Sequence, residues 1–186
     1  FQTDSLDGFG VSHATAGLRA AGALLQYIQY TQRQALPHIQ SLRLHAQHDK
    51  VMLDAGTRQH LELVETASGD SQPTLLSVLD HTQTAMGKRL LRRWVQQPLR
   101  DTEIIRSRHG AINALQAKAA YSALQEALKM TADCERILSR VALRSARPRD
   151  LVGLRETLSQ LPAIKSLLHS VRDPMLNDLH QGLGDH

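Results

Sequence analysis

The chain has 186 residues, enough for one sizeable domain with a real core and too few for two large ones. Hydrophobic residues make up 41% but aromatics only 3%, so the apolar content is Leu, Ala, Ile and Val, a balance that leans to helix over sheet. A net charge of +4 permits a nucleic-acid partner without arguing for one, the single cysteine Cys134 excludes an internal disulfide, and no apolar run reaches the ~18 residues of a membrane span.

Residues 1–12 read as turn and loop, punctuated by Gly8 and Gly10. A helix is expected from about His13 to Arg33, where Leu18, Ala21, Leu25 and Ile28 recur at three- and four-residue steps before Pro37 ends the pattern. The segments 51–54 (VMLD) and 61–64 (LELV) are the best strand candidates and would make a small two-stranded appendage. Residues 65–73 form a polar loop.

From 74 onward the pattern is helical. Thr84 is a plausible cap for a helix to about Gln96, stopped by Pro98. Spaced at about 100° per residue, Met86, Gly87, Leu90, Leu91, Trp94 and Val95 share one half of it, and Lys88, Arg89, Arg92 and Arg93 the other. Gly87 lies in the apolar half, where a missing side chain lets another element approach closely. The basic half reads as a solvated face.

Asp101 caps a helix through about Ala117, with Ile104, Ile105, Ile112 and Leu115 expected inward. Tyr121, Leu124 and Leu128 mark the next helix. Asp133 caps another, with Ile137, Leu138 and Val141 on its buried face. After a tight connection at 145–150, Pro148 can open a helix in which Leu151, Leu154, Leu158 and Leu161 repeat at helical spacing. Asp173-Pro174 reads as cap and first residue of a last helix. The expected fold is all-α, a multi-helix bundle with at most that small two-stranded appendage.

Motifs for chemistry are absent. The chain has no GxxxxGK[ST] phosphate loop, no GxGxxG and no GxSxG. His45, His48 and Asp49 form an HxxHD cluster, but a metal site would want further committed ligands, so solvated loop histidines are the default. His109 reads as a partly buried packing residue, and Cys134 as packed near an apolar face. Arg136, Arg140, Arg144, Arg147 and Arg149 form the densest basic cluster. Three readings stand for it: phosphate contact, pairing with Asp133, Glu135, Asp150 or Glu156, and pairing with another part of a longer chain.

Longer stretches carry a resemblance. LDAGTRQHLEL at 53–63 resembles the LDxxTxxxLEL element of the MutS family of DNA mismatch-repair proteins. TLLSVLDHTQTAMGKRLLRRWVQQPL at 74–99 is similar to that family's SLLxxLDxTxTxMGxRLLRxWLxxPL, and ERILSRVALRSARPRDLVGLRETL at 135–158 to its ERILxRxALxxARPRDLxxLRxxL. GFGVSHATAGLRAAGALLQYIQYTQ at 8–32 is similar to the family's passage from connector domain into core. At two of the variable positions, Gly56 stands where the resemblance leads one to expect alanine and Lys88 where it leads one to expect serine.

The resemblance implies a piece of a longer chain: residues 1–35 as the end of the connector domain with its linking helix, and 36–186 as the first segment of the core, or lever, domain. It implies a structural and allosteric module, not itself an enzyme, that links a DNA-clamping part to an ATPase part. The mismatch-probing Phe-x-Glu motif and the Walker ATPase would lie elsewhere in a bacterial cytoplasmic parent. ATP and Mg would belong to that parent, with no cofactor or metal in this chain. Implied partners are other domains of the same chain, mismatched double-stranded DNA, a second parent subunit and a MutL-type protein, with no membrane. Arg140, Arg144, Arg147 and Arg149 are the candidate interdomain or phosphate contacts, and Gly87 the candidate point of close helix packing. The alternative is an independent helical DNA-binding module using the basic faces at 88–93 and 136–149.

Overall fold

A computed structural model describes residues 14–32, 39 and 49–184. The chain divides into two compact units, 1–47 and 48–186. In the first, α1 (Thr15–Gln32) is described. Leu18, Ala21, Leu25 and Ile28 are its half-buried side chains below Ala14, the stripe that the spacing predicts.

The second unit begins with α2 (Ala55–His60), α3 (Leu75–Leu79) and α4 (Ala85–Gln96). Each has an oxygen-bearing cap: Asp54 accepts the Thr57 N–H at 2.7 Å, Thr74 that of Ser77 at 3.1 Å, and Thr84 that of Gly87 at 2.9 Å. The strand pair expected from 51–54 and 61–64 does not form. Residues 61–64 are a turn whose backbone receives the start of α3, with the N–H groups of Leu75 and Leu76 donating to the carbonyls of Glu62 and Leu63. Residues 49–51 are held instead by the chain after α4: Val51 N–H donates to Pro98 at 2.8 Å, Arg100 N–H to Asp49 at 2.9 Å, and Lys50 and Leu99 form an isolated antiparallel bridge. Proline has no N–H but keeps its carbonyl, so Pro98 stops α4 and still accepts this bond.

The rest is a helical bundle of α5 (Thr102–Ala117), α6 (Ala120–Lys129), α7 (Cys134–Ala142), α8 (Pro148–His169) and α9 (Pro174–Gly182). Asp101, Asp133 and Asp173 cap α5, α7 and α9 as expected, and Pro148 is the first residue of α8. The core joins α5, α6, α8 and α9 through Ala111, Ala120, Leu124, Ile164, Leu168, Val171 and Leu176. Val171, in the turn between α8 and α9, is 1% exposed and the best-buried of them.

The inward faces differ from the expected ones in three helices. On α5, Ala111 is buried while Ile104 and Ile112 are exposed. On α7, Ile137 is buried but Leu138 and Val141 are exposed. On α8 the buried side chains are Asp150, Thr157, Ile164 and Leu168, whereas Leu151 and Leu158 are 52% and 41% exposed. The seven-residue steps Asp150, Thr157, Ile164 define the inner line of α8, and the leucines at 151 and 158 lie about 100° round from it. Polar residues tolerate burial there because their hydrogen bonds are made inside the protein. His109, expected to be partly buried, is exposed on α5. Cys134 is half-buried at the start of α7. His45 and His48 lie outside the described residues.

Candidate interface at the α7–α8 turn

The basic cluster is built by how α7 ends and α8 begins. Arg144 sits just past α7 at φ 54, in the left-handed region that favours glycine. Two hydrogen bonds close the end around it: Ser145 N–H to the Arg140 carbonyl at 2.9 Å and Arg144 N–H to that of Val141 at 3.0 Å. This is a Schellman termination with arginine in the position usually held by glycine. Residues 145–147 then lead to Pro148.

Asp150 ties the turn together. One carboxylate oxygen accepts the Arg147 N–H at 2.9 Å, and the other accepts from Arg140 Nη1 at 2.7 Å. The Arg147 N–H and, after it, the Arg140 charge hold the Asp150 carboxyl below its ordinary range. Arg140 thereby clamps α7 to the first turn of α8 and is committed to a partner inside the chain. Arg144, Arg147 and Arg149 differ. Their side chains are exposed and make no hydrogen bond or ion pair among the described residues. Of the four candidates, the structure thus separates one internal clamp from three outward guanidinium groups.

Asp133 and Glu135 pair with a residue outside the cluster. Arg89 on α4 donates from Nη1 and Nη2 to the two Asp133 oxygens at 2.7 and 2.6 Å, and from Nη2 to Glu135 at 2.7 Å. This fork raises the Arg89 pKa and lowers that of Asp133. The basic half of α4 is exposed, as its pattern predicts, and three of its cations are also ion-paired. Lys88 pairs with Asp80 at 3.1 Å, and Arg92 reaches Glu65 at 3.5 Å. Sequence reasoning missed Arg89. No local spacing pairs it with Asp133 and Glu135, which lie 44 and 46 residues away.

At Gly87, the near neighbours of an added Cβ are Thr84 Oγ1 at 2.9 Å and Thr82 Cβ at 3.6 Å, both from the preceding turn and neither from another helix. Close helix packing falls instead at Gly153 on α8, where a Cβ would meet Ala132 Cβ at 3.3 Å. One turn on, Thr157 accepts the Ala132 N–H at 2.8 Å and donates to the Gly153 carbonyl at 2.8 Å. Gly153 and Thr157 together seat the α6–α7 connection on α8. A glycine inside a strong helical pattern was the signal for it.

A polar pocket of about 510 Å³ opens between α2 and the 64–69 loop, lined by Arg58, Gln59, Glu65, Ser68 and Gln96 among others. Arg58 donates from Nε and Nη2 to the Leu53 carbonyl, at 3.0 and 2.8 Å. Among the described residues no three His, Cys, Asp or Glu side chains come together as a metal site requires.

A family model described as MutS domain III matches residues 56–185, and one described as MutS domain II matches residues 1–40. The chain belongs to the MutS family. A chain with these two domains is a module of a mismatch-repair protein. α1 lies within the stretch matched to MutS domain II. The α7–α8 turn, the Arg89 fork and the whole of α5–α9 lie within the stretch matched to MutS domain III.

Proposed function

We propose that this part of the MutS chain is a mechanical module that couples a DNA-clamping part of the parent to its ATPase part, and that it performs no chemistry itself. One observation supports this most: Arg140 is locked onto Asp150 while Arg144, Arg147 and Arg149 on the same turn are left outward. An exposed guanidinium group with no hydrogen bond among the described residues, carried on a turn that is itself tied down, suits a contact with a carboxylate on a neighbouring domain. Coupling across a large protein needs packed elements that keep their shape, and α7 clamped to α8 is such an element. On this reading ATP and Mg belong to another part of the parent. This chain has no GxxxxGK[ST] loop to cradle a phosphate, so no step is assigned to them here. Mismatched DNA, a second parent subunit and a MutL-type protein would be met through the parent.

The test is a parent protein carrying Arg144→Ala, Arg147→Ala and Arg149→Ala together. The expected result is ATP turnover that still occurs but responds about tenfold less to mismatched DNA, with DNA affinity close to unchanged. Unaltered coupling contradicts the reading. A large loss of DNA affinity with intact coupling favours a phosphate contact instead.

A further inference from the structure

The packing of the second unit has a seam. The main helix-on-helix contacts fall into two groups, α3 with α4, and α5 to α9 with one another. Between α4 and the bundle the prominent side-chain contacts are two arginines. Arg89 forks onto Asp133 and Glu135 at the start of α7, and the Arg108 guanidinium on α5 stacks over the Trp94 ring at 3.6 Å. No side chain of α4 is buried. The bundle, by contrast, has a closed apolar core.

We propose that α4 is latched to the bundle by Arg89, and that release of the latch loosens α4 locally while the α5–α9 core stays folded. The geometry allows both states. The Glu135 side chain is exposed and that of Arg89 is about half exposed, so both are readily solvated on release, while the more covered Asp133 keeps a backbone partner. Asp133 also accepts the Arg136 N–H at 3.3 Å, so α7 keeps its cap when Arg89 leaves. The Trp94–Arg108 stack can slide, because a cation over a ring has no fixed hydrogen-bond direction. α7 carries the latch at its first turn and Arg144 just past its last. A displacement of α4 is thus felt at the helix whose far end holds the outward arginines. That link rests on the proposed coupling role, whereas the latch stands on the geometry alone.

Hydrogen exchange on the 186-residue chain, with no DNA or nucleotide present, tests the latch separately from the coupling role. Ion pairs in water are screened by salt and an apolar core is not. Raising salt from about 0.05 to about 0.5 M is expected to lower protection of amides 88–96 severalfold while those of 164–168 hold. Arg89→Ala should reproduce that loss at low salt and remove the salt response, with Glu135→Gln between the two. Should Arg89→Ala fail to fold, the salt series and Glu135→Gln decide. Salt-insensitive protection at 88–96, or loss of 88–96 and 164–168 together, overturns the proposal.

Discussion

Two regions of the second unit are made from similar residues but held by different forces. In α5–α9 four helices contribute to one buried apolar cluster, and Val171 seals it from the turn. In the segment from 49 to 100 the fixed points are polar: three caps, the Asp49–Val51 bonds to 98–100, and ion pairs from Lys88, Arg89 and Arg92. Its buried apolar residues are few, with Leu63 and Leu76 joined through a backbone bond. Apolar burial scales with area and resists salt, whereas exposed polar contacts fix geometry for little net energy. The bundle therefore supplies stability, and the α2–α4 segment supplies a defined but yielding attachment.

A matched pair of truncations separates the two regions. Leu176→Ala in the bundle should cost about 3 kcal/mol, and Leu76→Ala under α3 about 2 kcal/mol. The single tryptophan, Trp94, lies on α4 and reports that segment by fluorescence, while far-ultraviolet circular dichroism reports all helices. Leu176→Ala should shift both denaturation curves. Leu76→Ala should shift the fluorescence curve further than the dichroism curve, and equal shifts would show one indivisible unit.

A smaller effect is expected at the α6–α7 connection. Thr157→Val keeps the shape but removes the acceptor of the Ala132 N–H, so a loss of about 1–2 kcal/mol in equilibrium unfolding is predicted. A change within error would mean that water replaces the hydroxyl.

These contacts show what sequence could and could not supply. Caps were legible because Thr84, Asp101, Asp133 and Asp173 act on their own next turn. The family stretches were legible because order and spacing survive without a structure. The inner face of α8 was not. Leu151 and Leu158 suggest a buried stripe, yet Asp150 and Thr157 take that place because partners distant in sequence satisfy them. A hydrophobic pattern cannot reveal that the chain at 132 will offer an N–H to a threonine at 157. The Arg89 fork was hidden for the same reason, since its partners lie 44 and 46 residues away. Within the arginine cluster, the count was visible but the division between the clamp at Arg140 and the outward Arg144, Arg147 and Arg149 was not.

Acid should affect both regions gradually. The carboxyls of Asp54, Asp80, Asp133 and Asp150 all sit below their ordinary value of 3.8 in the folded chain. A group whose folded pKa is depressed adds stability above its unfolded pKa, and that contribution fades as pH falls through the folded value. Stability should therefore drop below about pH 4, and Asp150→Asn should flatten part of that drop in thermal melts. An unchanged acid profile would show that the Arg140 clamp contributes little.

The smallest effect has the opposite sign. Arg144→Gly relieves the left-handed backbone at φ 54 and should raise stability by about 0.5–1 kcal/mol. A loss would mean that the Arg144 side chain packs within the chain and does not face outward.

The most direct measurement is DNA binding by the 186-residue chain alone, titrated on matched and mismatched duplexes across salt. Weak binding with no preference for the mismatch is expected, because Arg140 and most of the α4 cations are paired inside the chain. Tight, salt-steep binding that falls when Arg140 and Arg144 become alanine would contradict it and make the helical DNA-binding module the better description.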